Sequence, residues 1–421
     1  MHHSLYRMGV WAIIILTAVS ASFAEDNDRE PRKGLDFFPL IAWDGGRPIP
    51  PEVPSQEIFN DMYDCGLTVA GFYPIEKLDE IYNAGLVTFV TDKRANNGHS
   101  FDNIDQEKAE NDIRELLDEV NNHPAVYGYY IVDEPQAGKF PELAKLAEIY
   151  AEFAPDKEVY INLLPNYAPP PMLQTKDYQE YVERFIHEVP TRSFGYDFYG
   201  IMEDDDNLRG GYWANLSTFR DASLKYNKPF WTVVLSVGHF NYRVPSRADL
   251  SFEVFSSLLY GARGIAYFTY LAPYIGNYRL SPIDQFHHKT PLWEDMRYVN
   301  HCVLALAPTL NQLTSTKVYH FPAEDAANNH ELTPPDDSTL LIDMPGGPFA
   351  IGEFKHAANH FSYLMILNKN LKKSQPIQLN WRNPPKAVRI VSKWRKGETY
   401  NWGGEHTWLA PGEALLLEVE F

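Results

Sequence analysis

Short apolar runs alternate with amphipathic stretches along most of the chain. The clearest amphipathic stretch is residues 104–121, where Ile113, Leu116, Leu117 and Val120 recur at helical spacing among charged residues. Strand-like runs separated by helices predict a parallel α/β domain, and eight such units close a barrel. The eight runs are residues 37–43, 68–73, 86–91, 127–132, 158–163, 193–199, 230–235 and 264–270.

The pattern changes after Leu313. The remaining apolar runs are short and β-type, and they are separated by turn residues such as Pro345-Gly346-Gly347 and Pro411-Gly412. This spacing predicts a small antiparallel sheet structure. We therefore predict a (β/α)8 TIM barrel over residues 35–314, followed by an antiparallel β-sandwich domain over residues 315–421.

The first 24 residues have the organisation of a secretory signal peptide. Arg7 precedes an apolar stretch over residues 10–19, and Ser22-Phe23-Ala24 ends in small residues before Glu25. We predict cleavage after Ala24, a flexible lead-in over residues 25–34, and a secreted or periplasmic protein with no membrane span after cleavage. The alternative is an uncleaved N-terminal anchor.

Composition narrows the possible partners. The formal charge is −19 at pH 7, and loss of Arg7 with the leader makes the mature chain more negative, so nucleic acid is not an expected partner. Aromatic residues make up 14% of the chain, and tyrosine and tryptophan rings provide flat platforms for sugars as well as core packing. Oligomeric state stays open.

Two cysteines, Cys65 and Cys302, are too few for a disulfide scaffold. In the predicted barrel, Cys65 follows the first helix and Cys302 lies in the last. Barrel closure makes these helices neighbours, so a bridge between the two is possible but not established.

The most informative motif is Asp133-Glu134-Pro135, which directly follows the apolar run of the fourth predicted strand. Proline cannot continue a central strand, so the carboxylates fall at the carboxyl end of that strand. In a TIM barrel this end forms the floor of the active site. Glu134 is therefore the candidate general acid, since burial among aromatic rings would raise its pKa. The alternative is that the acids merely cap the next helix.

Asp197 is the leading second carboxylate. It ends the sixth predicted strand and shares strand parity with Gly195 and Tyr199, so all three are expected on one face. If that face is the inner one, Asp197 meets Glu134 in one pocket as base or nucleophile. The alternative is that Asp197 only orients substrate hydroxyls or an arginine.

Other residues at predicted strand ends are assigned to substrate binding. The arginines among them would hold a uronate or sulfate, or else pair with pocket acids, and the histidine is a hydrogen-bonding group or a proton carrier. No metal ligand set, phosphate loop or dinucleotide fingerprint is present in the sequence, so no cofactor is predicted. The binding candidates are Trp43, Asp44, Tyr73, Asp92, Arg94, Asn162, Tyr199, His239, Tyr242, Arg243 and Tyr270.

The acid-Glu-Pro motif after strand four, the stretch Tyr196-Asp197-Phe198-Tyr199 after strand six and the β-rich tail resemble the barrel glycoside hydrolases of the large retaining clan, especially β-galactosidase-like members. The resemblance implies that Glu134 is the acid/base. That clan carries its nucleophilic glutamate at the end of strand seven, where this chain has residues 234–239 without an acid. Either Asp197 or a loop acid supplies the second carboxylate, or the mechanism differs.

The sequence therefore predicts an exported glycoside hydrolase acting on a poly- or oligosaccharide with a carboxylate pair. The alternatives are a non-catalytic carbohydrate-binding barrel protein and a metal-assisted hydrolase. The distance between the carboxyl groups of Glu134 and Asp197 bears on the pair directly. About 5–5.5 Å indicates a retaining enzyme, and roughly 6.5–9.5 Å indicates an inverting one.

Overall fold

The computed structural model describes residues 29–44, 54–203, 208–403 and 407–421. The predicted signal peptide lies outside the described residues. Eight parallel strands form a closed barrel in which β1 pairs with both β2 and β8, which confirms the predicted barrel. The strands are β1 (Leu40–Ala42), β2 (Val69–Tyr73), β3 (Val87–Val90), β4 (Val126–Asp133), β5 (Glu158–Leu163), β6 (Phe194–Asp197), β7 (Phe230–Leu235) and β8 (Ile265–Phe268).

Helices lie between the barrel strands and form the outer layer. The predicted helix over residues 104–121 is α3, which spans Gln106–Val120, buries the four predicted apolar positions and begins at Asp105, whose side chain accepts a hydrogen bond from the Lys108 N–H. The α-helices of this layer are α1 (Ser55–Asp64), α2 (Leu78–Asn83), α3, α4 (Phe140–Phe153), α5 (Pro170–Leu173), α6 (Tyr178–Glu188), α7 (Tyr212–Tyr226), α8 (Arg247–Tyr260) and α9 (Pro291–Leu310). Short 3₁₀ helices span Gly34–Asp36, Ile75–Lys77, Asn97–His99 and Ala137–Lys139.

Large aromatic rings fill the interior of the barrel. Phe72 contacts Tyr130 at a centroid distance of 4.5 Å, and Phe89 contacts Tyr160 at 5.0 Å and Trp231 at 6.1 Å. Such edge and tilted contacts stabilise the core beyond simple burial of area. Because these rings occupy the lower barrel, an open cavity is left at the carboxyl ends of the strands.

The tail after α9 forms antiparallel sheets, as predicted. A six-stranded sheet has the order β16-β15-β18-β12-β11-β9, and two short ribbons, β10 with β14 and β13 with β17, add buried residues such as Leu341 and Leu409 to the apolar core on one of its faces. The elements are β9 (Leu313–Phe321), α10 (Ala323–Asn328), β10 (Leu341–Asp343), β11 (Phe349–His356), β12 (Ser362–Asn368), β13 (Gln375–Pro376), β14 (Asn380–Trp381), β15 (Ala387–Val391), β16 (Thr399–Asn401), β17 (Trp408–Leu409) and β18 (Ala414–Glu420).

The sheet packs directly on α8. Every residue of α8 from Asp249 to Tyr260 is buried, which explains why this helix is apolar over most of its surface. Gly352 in β11 lies so close to the backbone of Leu259 that an added Cβ would sit 2.6 Å from the Leu259 carbonyl oxygen. The barrel and the tail therefore share a continuous apolar core.

The two cysteines are both buried and not bonded to each other. The helices that carry them are neighbours, as predicted, because Asn300 on α9 donates a hydrogen bond of 2.9 Å to the Cys65 carbonyl oxygen. The Cys65 thiol instead lies 3.7 Å from the Trp293 carbonyl oxygen. Within the described residues, none of the helices has the length and apolar character needed to cross a bilayer.

Candidate active site

A cavity of about 290 Å³ opens at the carboxyl ends of the barrel strands. Among the described residues, seven that were predicted from the sequence line it, together with five others. The predicted seven are Trp43, Glu134, Asn162, Asp197, Tyr199, His239 and Tyr242. The additional five are Asp133, Tyr167, Val233, Phe240 and Phe268.

Glu134 sits where the chain leaves β4. Its backbone is in the left-handed region with φ of +48°, and its N–H donates a hydrogen bond of 2.8 Å to the Asn162 carbonyl oxygen on β5. A non-glycine residue in this region costs on the order of 1 kcal/mol and persists only where the surroundings enforce it. The turn directs Asp133 and Glu134 into the same cavity, with Pro135 buried behind them.

Asn162 connects the acids of two strands. It lies in register with Asp133 on β4 and Gly195 on β6, and its Nδ2 donates to Asp133 Oδ1 at 3.0 Å and to Asp197 Oδ1 at 2.9 Å. Asn162 is only 1% exposed, and its Oδ1 has no hydrogen-bond partner among the described residues. A buried amide oxygen in this state is ready to accept a hydrogen bond from a ligand.

The carboxyl groups of Glu134 and Asp197 are joined by a hydrogen bond. Burial raises the pKa of Asp197 well above its usual range, and the neighbouring charges of Glu134 and Asp133 raise it further. Burial, followed by the charge of Asp133, also raises the pKa of Glu134. Two carboxylate charges in contact repel each other, so each group opposes ionisation of the other. This contact is shorter than the separation expected for either a retaining or an inverting pair.

Asp133 is the most exposed of the three acids. The walls around it raise its pKa by desolvation, whereas the hydrogen bond from Asn162 favours its ionised form. Asp133 is therefore a hydrogen-bond acceptor that is exposed to the cavity, next to Glu134 and Asp197.

Aromatic rings form the wall that faces the acids. Tyr199 stacks on Phe268 at a centroid distance of 5.5 Å and contacts Tyr242 edge-on at 5.6 Å. His239 is buried, and burial lowers its pKa, so it is neutral at pH 7. Its Nδ1 lies 3.3 Å from the Val237 carbonyl oxygen, which agrees with a hydrogen-bonding role. Flat rings beside polar edges suit a sugar ring.

Three predicted binding residues with charged side chains are held in ion pairs away from the cavity. Arg94 pairs with Asp92 at 3.0 Å and also with Glu115 and Glu119 on α3. Arg243 pairs with Asp249 near the start of α8 at 2.5 Å. The structure therefore does not bring Asp92, Arg94 or Arg243 to the site. The alternative for the arginines, an ion pair with a predicted pocket acid, is observed for Arg94 with Asp92, whereas Arg243 pairs with an acid of α8.

Three further predicted binding residues make structural contacts within the barrel domain. Asp44 accepts hydrogen bonds from Thr269 Oγ1 at 2.6 Å and from the Leu271 N–H at 3.0 Å. Tyr73 faces outward onto Phe59, because an irregularity in the pairing of β2 brings Phe72 to the inner face. Tyr270 follows the end of β8 and accepts a hydrogen bond from Trp293 Nε1 on α9. None of the three lines the cavity.

Among the cavity residues that were not predicted, the positions of Asp133 and Phe268 in the sequence could have identified them. Asp133 is adjacent to the chosen acid, and Phe268 is the last residue of a strand whose Ala266 faces inward. Tyr167 lies in a loop, where no periodicity points to it. In the structure the guanidinium of Arg209 lies 3.5 Å from the centroid of the Tyr167 ring and donates to the Tyr242 hydroxyl at 3.0 Å, which places a cation at the rim of the cavity.

A larger cavity of about 560 Å³ lies beside α9, away from the strand ends. Several of its lining residues are cationic, but acids already neutralise them. The pairs are Arg247 with Asp295 at 2.7 Å, Lys393 with Glu413 at 2.5 Å and Lys396 with Asp36 at 2.5 Å. Within the described residues, no three histidine, cysteine or acidic side chains are grouped to hold a metal ion.

No protein-family model and no curated protein matches this chain. Solved structures do match in shape. A GH42 β-galactosidase from G. stearothermophilus, solved as a catalytic mutant, has a TM-score of 0.58 at 9% identity, covering 91% of this chain and 98% of its own. A family 5 glycoside hydrolase from Bacteroides vulgatus has a TM-score of 0.56 at 11% identity, covering 91% and 89%.

These likenesses establish the barrel fold. The chain spans 60% of the length of a β-galactosidase from Marinomonas ef1, at 11% identity and a TM-score of 0.49 over 64% of this chain. At such identities a shared fold is compatible with many activities, so function has to be argued from the site.

Proposed function

We propose that this chain is a glycoside hydrolase that cleaves glycosidic bonds of a poly- or oligosaccharide, with Glu134 as the general acid. The observation that carries the proposal is the pair of hydrogen-bonded carboxyl groups, Glu134 and Asp197, on the floor of an aromatic cavity. A glycosidic oxygen leaves readily only when it is protonated, so the reaction needs a carboxyl group that keeps its proton near neutral pH. The folds of the matched glycoside hydrolases support this reaction class.

Glu134 and Asp197 have different positions and therefore different roles. Glu134 is half-buried and lines the cavity, so it can reach the glycosidic oxygen. Asp197 is 7% exposed and hydrogen-bonded to Glu134, so it acts as a positioning residue that holds the Glu134 carboxyl group in place. Trp43, Tyr199 and Tyr242 provide ring surfaces for the sugar.

Hydrolysis is tested with Glu134→Gln, which keeps the shape of the side chain but cannot donate a proton. We expect kcat to fall by about 10²–10⁴-fold, the usual contribution of a general acid, with little change in glycan affinity. The measurement is release of reducing ends or 4-nitrophenol from a panel of glycosides, together with calorimetric binding. Glu115→Gln, a side chain that is 75% exposed on α3, is the matched control and should retain full activity.

Two results would contradict the proposal. If Glu134→Gln retains wild-type kcat, Glu134 is not the acid. If the wild-type protein binds glycans but turns none over, it is the carbohydrate-binding barrel protein that is the rival interpretation. Export through residues 1–24 stays a prediction.

A further inference from the structure

The acids of the site lie on one side of the cavity, at the ends of β4 and β6, and Asn162 on β5 lies between them. Asp133 and Glu134 follow from β4, Asn162 from β5 and Asp197 from β6, and hydrogen bonds join them into one cluster. In a retaining enzyme with a carboxylate nucleophile, that carboxylate faces the anomeric carbon from across the sugar, at about 5–5.5 Å from the acid. Asp197 touches Glu134, so it stands on the acid's side of the sugar.

The rest of the described cavity wall contains no carboxylate. It consists of aromatic and apolar side chains and one histidine: Trp43, Tyr167, Tyr199, Val233, His239, Phe240, Tyr242 and Phe268. Burial lowers the pKa of His239, so this wall carries no charge at pH 7. Within the described residues this wall supplies no carboxylate to attack the anomeric carbon, and its rings accommodate a methyl group or a ring face.

The cluster also contains two acceptors on residues that line the cavity. Asn162 Oδ1 is buried without a partner among the described residues, and Asp133 is exposed to the cavity while Asn162 Nδ2 donates to its Oδ1. Leaving a buried acceptor unsatisfied costs about 1–3 kcal/mol, so a ligand that donates here gains affinity. An amide N–H is such a donor, and the methyl group of an acetamide would meet the aromatic wall.

We propose, on the basis of the glycoside hydrolase function proposed above, that the substrate is a 2-acetamido-2-deoxy-hexoside whose own acetamido group is the nucleophile. In the first step the acetamido carbonyl oxygen bonds to the anomeric carbon, the bond to the leaving oxygen breaks, and Glu134 gives that oxygen its proton. Asp133 accepts the hydrogen bond from the acetamido N–H and balances the positive charge of the cyclic intermediate.

In the second step a water molecule bonds to the anomeric carbon and gives a proton to Glu134. The bond from the anomeric carbon to the acetamido oxygen breaks, which restores the acetamido group and leaves the sugar with retained configuration. Asp197 holds Glu134 in place through the hydrogen bond between their carboxyl groups, before and after the cycle. This sequence needs one acid/base, one orienting carboxylate and no second carboxylate across the sugar.

The test compares matched 4-nitrophenyl glycosides that differ only at C2. We expect 2-acetamido sugars to be hydrolysed at least about 10³-fold faster than their 2-hydroxy counterparts, because an intramolecular nucleophile has a high effective concentration. Replacing the acetamido group by trifluoroacetamido, a weaker nucleophile, should lower kcat/KM relative to the parent 2-acetamido glycoside. Equal hydrolysis of the 2-hydroxy series would overturn the substrate assignment while leaving the glycosidase proposal intact.

Two further measurements separate the outcomes. A thiazoline analogue of the cyclic intermediate should inhibit the wild-type protein competitively and bind Asp133→Asn at least about tenfold more weakly, a readout that does not depend on turnover. A 2-deoxy-2-fluoro glycoside that leaves a covalent adduct on any carboxylate of the chain would show a protein nucleophile and sink the inference. Hydrolysis of neither series, with no thiazoline binding, rejects both proposals.

Discussion

Glu134 is held in a conformation that is unfavourable in two respects. Its backbone has a positive φ, and its carboxyl group is desolvated beside Asp133 and Asp197. Both features oppose folding, and both accompany the placement of the Glu134 carboxyl group in the cavity. Functional sites commonly retain such strain because the surrounding fold enforces it. The conformation and burial of Glu134 therefore lower the stability of the fold while they place its carboxyl group at the site.

Glu134→Gln is expected to stabilise the protein at neutral pH by about 1 kcal/mol, because a neutral amide does not repel its acidic neighbours. Folding raises the pKa of Glu134 and Asp197 above 4.5 and 3.8, their ordinary values. The stability contributed by the protonated pair is therefore fully present below those values and is lost as pH rises through the folded-state pKa. Urea unfolding between pH 4 and pH 8 should show the advantage of the variant growing with pH. A difference in stability that does not change with pH would contradict the raised pKa of these two groups.

Some residues that the sequence assigns to binding instead hold the end of a helix in place. At the start of α8, the Ser246 side chain and Asp249 form a capping box, and Arg243 pairs with the same Asp249. Capping satisfies the free N–H groups of the first helical turn. Because the tail packs on α8, this cap supports the barrel and the sheet together.

Arg243→Gln is expected to lower the free energy of unfolding by about 1–2 kcal/mol, since Asp249 is 2% exposed and loses its charged partner. KM should stay at the wild-type value, because Arg243 does not line the cavity. Arg209→Gln is the matched comparison: it removes a rim cation beside Tyr167 and Tyr242, so KM should rise while stability changes little. A raised KM for Arg243→Gln, measured by initial rates, would show that Arg243 contributes to substrate binding after all.

Across the whole molecule, the barrel and the tail behave as one packed body. Gly412, in the turn before β18, has φ of +68°, and an added Cβ would lie 2.0 Å from the Ala248 carbonyl oxygen on α8. Gly397 has φ of +74° but open space around it. The two glycines therefore share a backbone requirement and differ in whether they touch the barrel.

Gly397→Ala should cost about 1–2 kcal/mol from the left-handed conformation alone. Gly412→Ala adds a backbone clash, so we expect a loss at least about twice as large. Thermal unfolding of both variants, followed by circular dichroism and by tryptophan fluorescence, checks this difference. Equal losses, or a separate transition for the tail in wild-type protein, would show that the contact between sheet and α8 contributes little.

Local pattern was enough to identify the eight strands, α3 and the position of Glu134. Periodicity and a proline stop act over a few residues, so they are visible in the chain itself. Asp92, Arg94 and Asn162 also lie at strand ends, and the sequence predicts the same binding role for all three. The structure separates them because Glu115 and Glu119 on α3 hold Arg94, whereas Asn162 joins two acids of neighbouring strands.

The sequence by itself thus determined the barrel, its β-rich tail and the strand end that carries Glu134. Tertiary structure decided which strand-end residues share the cavity, that Tyr73 faces outward, and that Glu134 and Asp197 touch. Asn162 lies 29 and 35 residues from the two acids that it links. The state of an acid depends on such distant neighbours, because desolvation and charge act through space and not along the chain.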